Sequence, residues 1–338
     1  MKKTYPYLSL AQLLASLLVI LVHCGRLSEV PWLHFLLKPI FCRMAVPFFL
    51  VINGFFYRQR QKTQPDYWYV FFRQQYKTYR YLSWVYLPYG LFILYERQVS
   101  LLLLPFAIVW GLLFLGVCYH LWYFPALLFA TRLTEKLLQH IGYLGSFALF
   151  LTLYAIGSYE TYSAYFSHSV VEPVYQLYKS VFFTTRNGLF FAPIFIWLGF
   201  FLQDNYQKPF FKQQLPLKLF FSGLFVSGEG WLIYHNQGDD KNFLFSLIPL
   251  LLIVVPCLLK PQLTRLPDQK FRAIGKELFF WHPAVLELIK ISFLTSRGIV
   301  IQGLPLFILT VFFTGTLLYL KKLRQQFDVQ KPKKALLK

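Results

Sequence analysis

The chain has 338 residues, 57% of them apolar and only 14% charged, with 38 Phe and a mean hydropathy of +0.47. A soluble domain is about a quarter charged, and a single soluble core has nowhere to put this much apolar surface without exposing large patches. A soluble enzyme, a nucleic-acid-binding domain and a disordered tail are excluded, and the composition is that of an all-α, polytopic membrane protein. The formal charge of +20, from 34 Lys and Arg against 14 Asp and Glu, then reads as the Lys and Arg excess of cytoplasmic loops. No basic run has the arrangement of a nucleic-acid module, so nucleic acid is not an expected partner.

Lys2-Lys3 and the apolar run Leu8–Val22 form an uncleaved first helix, because no small-residue cleavage site follows. Ten membrane-spanning helices are predicted, near 8–25, 41–57, 81–95, 119–136, 142–158, 186–204, 216–235, 242–260, 277–295 and 301–320. The apolar stretch 101–118 is interrupted by Pro105, Gly111 and Gly116 and is predicted to be non-spanning, either re-entrant or interfacial. With both termini in the cytoplasm, the inner segments hold 25 of the 34 basic residues, notably the 58–80 loop, the 260–276 loop and the tail from Lys321. Counting 101–118 as a crossing would move the 208–218 and 260–276 clusters outside. Residues 1–325 read as one integral-membrane domain, and 326–338, with its run Lys331-Pro332-Lys333-Lys334, as a basic cytoplasmic tail near anionic lipid. The expected location is the cell membrane, crossed several times, with lipid as the first partner. Cys24, Cys42, Cys118 and Cys257 have no metal-ligand spacing and read as apolar fillers, so no metal is expected.

Ionisable groups inside a span are costly unless paired or watered, which makes them functional candidates. At 1.5 Å per residue, His23, Arg43, His120, Arg186 and Glu229 fall at similar depth in the outer part of five different helices. A sparser set, Gln12, Asn53 and His282, falls toward the cytoplasm. Together they outline a polar path with a reactive outer end. Plainer alternatives stand beside these readings. Arg43 and Arg186 at helix ends suit snorkelling to headgroups, and His120 within Tyr119–Tyr123 suits an interfacial aromatic belt. Glu287 and Lys290 are spaced to pair with each other. His23 is harder to dismiss, since it ends an unbroken apolar run and a buried imidazole needs a partner for each nitrogen.

Four stretches then carry a family likeness: Leu13 through His23 with Cys24; Cys42-Arg43-Met44-Ala45-Val46-Pro47-Phe48-Phe49, running on to Asn53-Gly54-Phe55; Tyr119-His120-Leu121-Trp122-Tyr123-Phe124-Pro125-Ala126; and Arg186-Asn187-Gly188 running to Pro193, with Trp281-His282-Pro283 further on. In order and spacing the chain resembles the acyltransferase-3 family of integral membrane proteins, and most of all the membrane half of the membrane-bound serine racemases of glycopeptide resistance. The resemblance implies transfer of an acyl group from cytosolic acyl-CoA to a sugar or envelope polymer. One departure is conspicuous. Members of the family carry an Arg eleven positions before the first-helix His and an acidic residue three positions earlier, where this chain has Gln12 and Ser9. Gln keeps a planar hydrogen-bonding head but loses the charge and the bidentate grip.

The leading expectation is therefore a membrane O-acyltransferase, moving an acyl (acetyl) group other than amino-acyl from acyl-CoA to a hydroxyl of an envelope glycan or glycolipid. In it His23 is the base or acyl acceptor, and Arg43 or Arg186 stabilises the oxyanion. Glu229 orients these groups, and His120, Trp122, Arg186 and Asn187 bind the acceptor. Gln12, Asn53 and His282 face the donor. Two other expectations stand beside it: a transport or delivery module for a small polar solute such as an amino acid, and a catalytically degenerate partner protein. Any hydrolase or racemase activity is expected from a separate extracytoplasmic or racemase-like partner chain.

Overall fold

Pro6 stands in the first turn of α1 (Pro6–Val22), where a missing N–H leaves no bond unmade, and a Leu, Val, Ala and Ser run follows it. The computed structural model describes residues 5–259 and 268–330, and among them every regular element is helical. Lys2, Lys3, Lys260, Arg265 and the 331–338 part of the basic tail lie outside the described residues. After α1 comes the short α2 (Pro31–Phe35). A π-helical turn, Leu36–Phe41, holds Pro39 and leads through a tight turn, Cys42–Met44, into α3 (Ala45–Gln61). The chain continues through α4 (Tyr67–Val85), α5 (Leu87–Glu96), α6 (Leu104–Trp110), α7 (Tyr123–Gly157), α8 (Tyr159–Tyr162) and α9 (Glu172–Phe182). It ends with α10 (Ala192–Asn205), α11 (Leu215–His235), α12 (Leu247–Leu258), α13 (Asp268–Arg297) and α14 (Gly303–Gln330).

Among the described residues, four stretches are long and apolar enough to cross a membrane: Pro31–Gln61, Tyr123–Tyr165, Gln269–Arg297 and Gly303–Arg324. Pro6–Val22, Leu104–Leu115 and Leu247–Leu258 are apolar but shorter. Helices of this length and composition are those of a membrane protein. The 101–118 stretch forms α6, of seven residues, and a five-residue π-helical continuation, Gly111–Leu115. At 1.5 Å per residue that is about 18 Å, short of a hydrocarbon core of about 30 Å. The segment expected as a loop at 58–80 is helical over most of its length. Trp68, Phe71, Phe72, Tyr76 and Tyr79 recur at helical spacing along α4, and burial of Phe71 and Tyr79 outweighs the interleaved Arg73, Lys77 and Arg80. In α7, Gly142 with φ of 65° breaks the helix into two arms. That left-handed conformation carries no steric penalty for glycine.

The centre of the molecule is the crossing of α3 and α10. A Cβ on Gly54 would lie 2.6 Å from the Ile196 carbonyl oxygen, and one on Gly199 would lie 2.6 Å from the Phe55 nitrogen and collide with the Val51 carbonyl. The two backbones therefore touch, the arrangement that small residues permit between helices in lipid. At one end of this pair, Asp204 on α10 accepts from Arg58 Nη2 (2.9 Å), Lys62 Nζ (2.6 Å) and the Tyr143 hydroxyl (2.6 Å). That network joins α3, α10 and the kink of α7. The opposite end carries His23, Arg43 and Arg186, so the two ends are referred to as the Arg58 pole and the His23 pole.

Gly199→Ala is expected to lower the thermal midpoint of the detergent-purified protein by several degrees, since overpacking a tight contact costs about 1–3 kcal/mol. Gly223→Ala is the control, because a Cβ on that α11 glycine meets nothing within 4 Å. Equal melting of the two variants would contradict the backbone contact.

Candidate active site

Arg43 stands in the tight turn between the π-helical turn and α3, which hold it at the start of the α3–α10 crossing. Along α3, Val46, Phe49 and Asn53 follow on the cavity-lining side. Two cavities lie along this line. The first, at the His23 pole, measures about 40 Å³ and is lined by His23, Arg43, His120, Arg186, Trp122 and Asn242, among others. The second, toward the Arg58 pole, measures about 560 Å³ and is lined by Gln12, Ser16, Asn53, Lys77, Arg272 and Lys276, among others. Phe49, Tyr123 and Phe279 line both. Their rings form the partition: Phe49 and Tyr123 each lie 6.1 Å from Phe279 between centroids, and Asn53 Nδ2 donates to the Tyr123 hydroxyl at 2.9 Å.

Two imidazoles, His23 and His120, line the first cavity, and a third, His282, packs against both. The His23 ring lies 4.4 Å from Tyr119 and stacks 5.9 Å from His282, and His120 lies 5.8 Å from His282. His282 is fully buried, with Nδ1 3.0 Å from the Leu278 carbonyl. A carbonyl only accepts, so Nδ1 carries the proton and Nε2 presents a lone pair. That Nε2 has no partner among the described residues, and neither does either nitrogen of His120, which is 3% exposed. Buried polar atoms in this state carry a desolvation penalty. Three of them side by side mark a place that a polar ligand or water completes. Among the described residues no group of His, Cys, Asp and Glu is arranged to hold a metal ion.

The cations stand opposite. Arg43 donates through Nη2 to Asp240 at 3.1 Å and through Nη1 to the Asn242 side-chain oxygen. Arg186 reaches the same oxygen at 3.3 Å and lies 4.8 Å from the face of Trp122. Asn242 returns its amide to Asp240. The Nε atoms of both arginines are buried without a partner. Cationic donors and proton-accepting imidazoles facing one small, water-poor space can stabilise a developing negative charge and take up a proton in the same place.

His23, Arg43, His120, Trp122 and Arg186 thus line one cavity, whereas three of the other expected positions stand differently. Glu229 does not line it: its carboxylate accepts from the Phe245 and Ser246 amides at 2.6 and 2.9 Å and from the Tyr162 hydroxyl at 2.5 Å. It therefore anchors the amides that open α12, where the helix dipole favours a negative charge. Asn187 is turned away as well. Its oxygen accepts from the Leu189 and Phe190 amides and its nitrogen donates to Tyr178, closing the turn before α10. His282 belongs with the His23 cluster and not on the far side, because α13 begins at Asp268, well before the expected 277, and so carries His282 to mid-helix. Gln12 and Asn53 do line the second cavity. Asp240 and Asn242 were not anticipated. The polar run Asp239-Asp240-Lys241-Asn242 is the only sequence signal for them, and it does not say that Asp239 pairs with Lys179 (2.5 Å) while Asp240 pairs with Arg43.

Glu229→Gln is expected to destabilise the fold by about 1–2 kcal/mol, the magnitude of a lost charged helix-end contact. It should leave ligand affinity per folded molecule within about twofold. A variant that melts like the parent but no longer binds or turns over would return Glu229 to the site.

The comparisons with known proteins bear on what this geometry serves. The family model described as an acyltransferase domain matches residues 5–320. The chain is 31% identical over 209 residues to a serine/alanine racemase of Enterococcus gallinarum, covering 58% of this chain and 29% of that protein. It is 28% identical over 251 residues to an amino-acid racemase of Enterococcus faecalis, covering 73% and 34%, and 26% identical over 299 residues to a second from that organism, covering 86% and 42%. The chain thus spans about a third of the length of these relatives. No solved structure matches it significantly. The match over nearly its whole length makes this chain a member of the acyltransferase-3 family of membrane proteins.

Proposed function

We propose that the protein is a membrane O-acyltransferase that takes an acetyl group from acyl-CoA in the second cavity and passes it to a hydroxyl in the first. The observation that carries this reading is the pair of cavities meeting at Phe49, Tyr123 and Phe279, with imidazoles and guanidiniums on one side and Lys77, Arg272 and Lys276 on the other. An adenosine diphosphate-bearing donor is strongly anionic, and a positively lined mouth attracts it even though Gln12 replaces the family's Arg. The thioester arm then reaches past the ring partition. His23, backed by His282 and His120, takes the proton of the acceptor hydroxyl, and the oxygen attacks the thioester carbon. Arg43 and Arg186 stabilise the tetrahedral oxyanion. As it collapses the carbon–sulfur bond breaks, and the imidazolium returns its proton to the departing thiolate. A space of about 40 Å³, where one water needs about 10–15 Å³ on the same measure, favours the smallest acyl group. The acceptor in this reading is an envelope glycan or glycolipid hydroxyl. The protein lies in the cell membrane, crossed ten times, with both termini in the cytoplasm and the His23 pole outward.

A second reading, delivery of a small amino acid to a racemase-like partner, is favoured by two observations. The relatives are named for amino-acid racemisation, and Gln12 lacks the charge that binding a CoA donor would use. His23→Ala and Gln12→Arg separate the two. For a transferase, His23→Ala abolishes acetyl transfer from labelled acetyl-CoA, while Gln12→Arg preserves or raises it. For a delivery module, Gln12→Arg puts an unpaired charge in a span and impairs uptake. Full transfer by His23→Ala would remove the base assignment.

The orientation has its own check. In intact cells an impermeant thiol reagent should modify a Cys at Ser167, exposed between α8 and α9, and spare one at Gln64, exposed between α3 and α4. The reverse pattern would invert the proposed topology.

A further inference from the structure

The first cavity holds more positive charge than the chain neutralises. Two guanidiniums, Arg43 and Arg186, share one carboxamide oxygen on Asn242, and one carboxylate, Asp240, touches only the first of them. Among the described residues Arg186 makes no ion pair, and its cationic face rests on Trp122. The other carboxylates of this region are committed elsewhere. Glu160 accepts from the Thr184 hydroxyl at 3.0 Å and the Thr185 amide at 2.8 Å, and Glu229 is held by Tyr162 and the α12 amides. A guanidinium offers five donors in a planar fork, yet both Nε atoms here are buried and unused, as are both nitrogens of the 3% exposed His120 across the cavity. Two cations held side by side with one anion between them repel each other unless a second anion arrives.

We propose that this cavity is an oxyanion-binding site, in which a carboxylate or phosphate on the extracytoplasmic ligand seats between Arg43 and Arg186 and Asp240 is the chain's own stand-in for it. The proposal deepens the transferase reading and rests on it for the statement that this ligand is the acceptor. The acceptor is then an anionic molecule whose hydroxyl lies near the imidazoles while its acidic group is clamped by the arginines. Asp240 suits the part of a displaceable stand-in. It sits on the non-helical segment 236–246, and its amide donates to the Glu160 carbonyl at 3.1 Å, but its carboxylate is 25% exposed and, among the described residues, bonds besides Arg43 only to its own neighbours, Lys241 and Asn242. The Trp122 ring, 4.8 Å from the Arg186 guanidinium carbon, restrains that side chain, so that less side-chain freedom is lost on binding.

The test uses the full chain in phosphatidylcholine nanodiscs without acyl donor, and follows the thermal midpoint against added acetate, inorganic phosphate or uncharged acetamide, with ionic strength held constant by chloride. A ligand that binds only the folded protein raises the midpoint in proportion to the logarithm of its concentration above Kd. Acetate and phosphate are expected to do so, and acetamide is not. Asp240→Asn is expected to tighten the anion response about tenfold, the scale of one charge-assisted contact. Arg186→Gln should abolish the response while still giving a cooperative melt, and Arg186→Lys, which keeps charge but not the fork, should retain a weakened one. In discs containing phosphatidylglycerol, loss of the acetate response would assign the anion to a lipid headgroup and persistence would assign it to a soluble acceptor. Either result supports the site. An equal response to acetamide, an undiminished response in Arg186→Gln, or a weaker response in Asp240→Asn would overturn it. Because no donor is present, a failed anion response beside intact acetyl transfer strikes this proposal alone, and the converse strikes the transferase reading alone.

Discussion

The backbone contact between α3 and α10 is the constraint on which the rest of the molecule depends. In lipid there is no hydrophobic gain from pressing two apolar helices together, so close association needs small residues that let main chains touch. Gly54 and Gly199 supply them. With the two helices locked at that point, the groups at their ends are set at fixed separations. Toward one pole Arg58 and Lys62 meet Asp204, and toward the other Arg43 and Arg186 converge on a single Asn242. The same crossing presents Phe49 and Asn53 to Tyr123, and so forms the partition between the two cavities.

The two poles solve the problem of buried charge differently. At the Arg58 pole one carboxylate collects two cations and a hydroxyl, from the last turn of α3, the residue just after it and the kink of α7, a network that ties α3, α7 and α10 together. At the His23 pole two guanidiniums and three imidazoles face one carboxylate and one carboxamide, and several donors and acceptors stay unfilled. A fold selected for stability alone would not leave that many polar atoms unmatched out of water. The contrast sets a carboxylate with all its partners beside guanidiniums and imidazoles with unused nitrogens, within one chain and one pair of helices, and it is the ground for proposing the second as the ligand site. It also explains why Glu229 is absent from the cavity. A carboxylate inside it would neutralise the arginines, whereas at the start of α12 it steadies the segment that brings Asp240 and Asn242 into place.

Much of this arrangement was legible from residues alone. An imidazole at the end of an apolar run and arginines at helix starts are costly wherever they fall, and counting residues from the helix ends put His23, Arg43, His120 and Arg186 at one depth, where they line one cavity. The same depth argument placed Glu229 with them, because depth carries no information about which way around the bundle a side chain points. It misplaced His282 for a related reason. Its depth was counted from an assumed start of α13, and the amphipathic turns from Asp268 onward extend that helix below the apolar run. Asn187 read as a ligand group because a turn-closing Asn and a binding Asn look identical until the Leu189 and Phe190 amides are seen bonded to it.

The class of protein, most of its apolar helical stretches and the kinds of chemistry present can be read from residues alone, because composition, apolar run length and the expense of buried ionisable groups act locally and leave local marks, whereas the amphipathic helix over 67–85 reads as a basic loop. The sequence motifs also determined the family. Only the tertiary structure decided which of these groups meet. Asp240 rather than Asp239 reaches Arg43, His282 stacks on His23, and Phe49, Tyr123 and Phe279 divide the interior in two. Those outcomes depend on the rotation of each helix about its own axis and on the course of the non-helical segment 236–246. Both are set by contacts between residues far apart in the chain, such as His23 with His282, which no local pattern encodes.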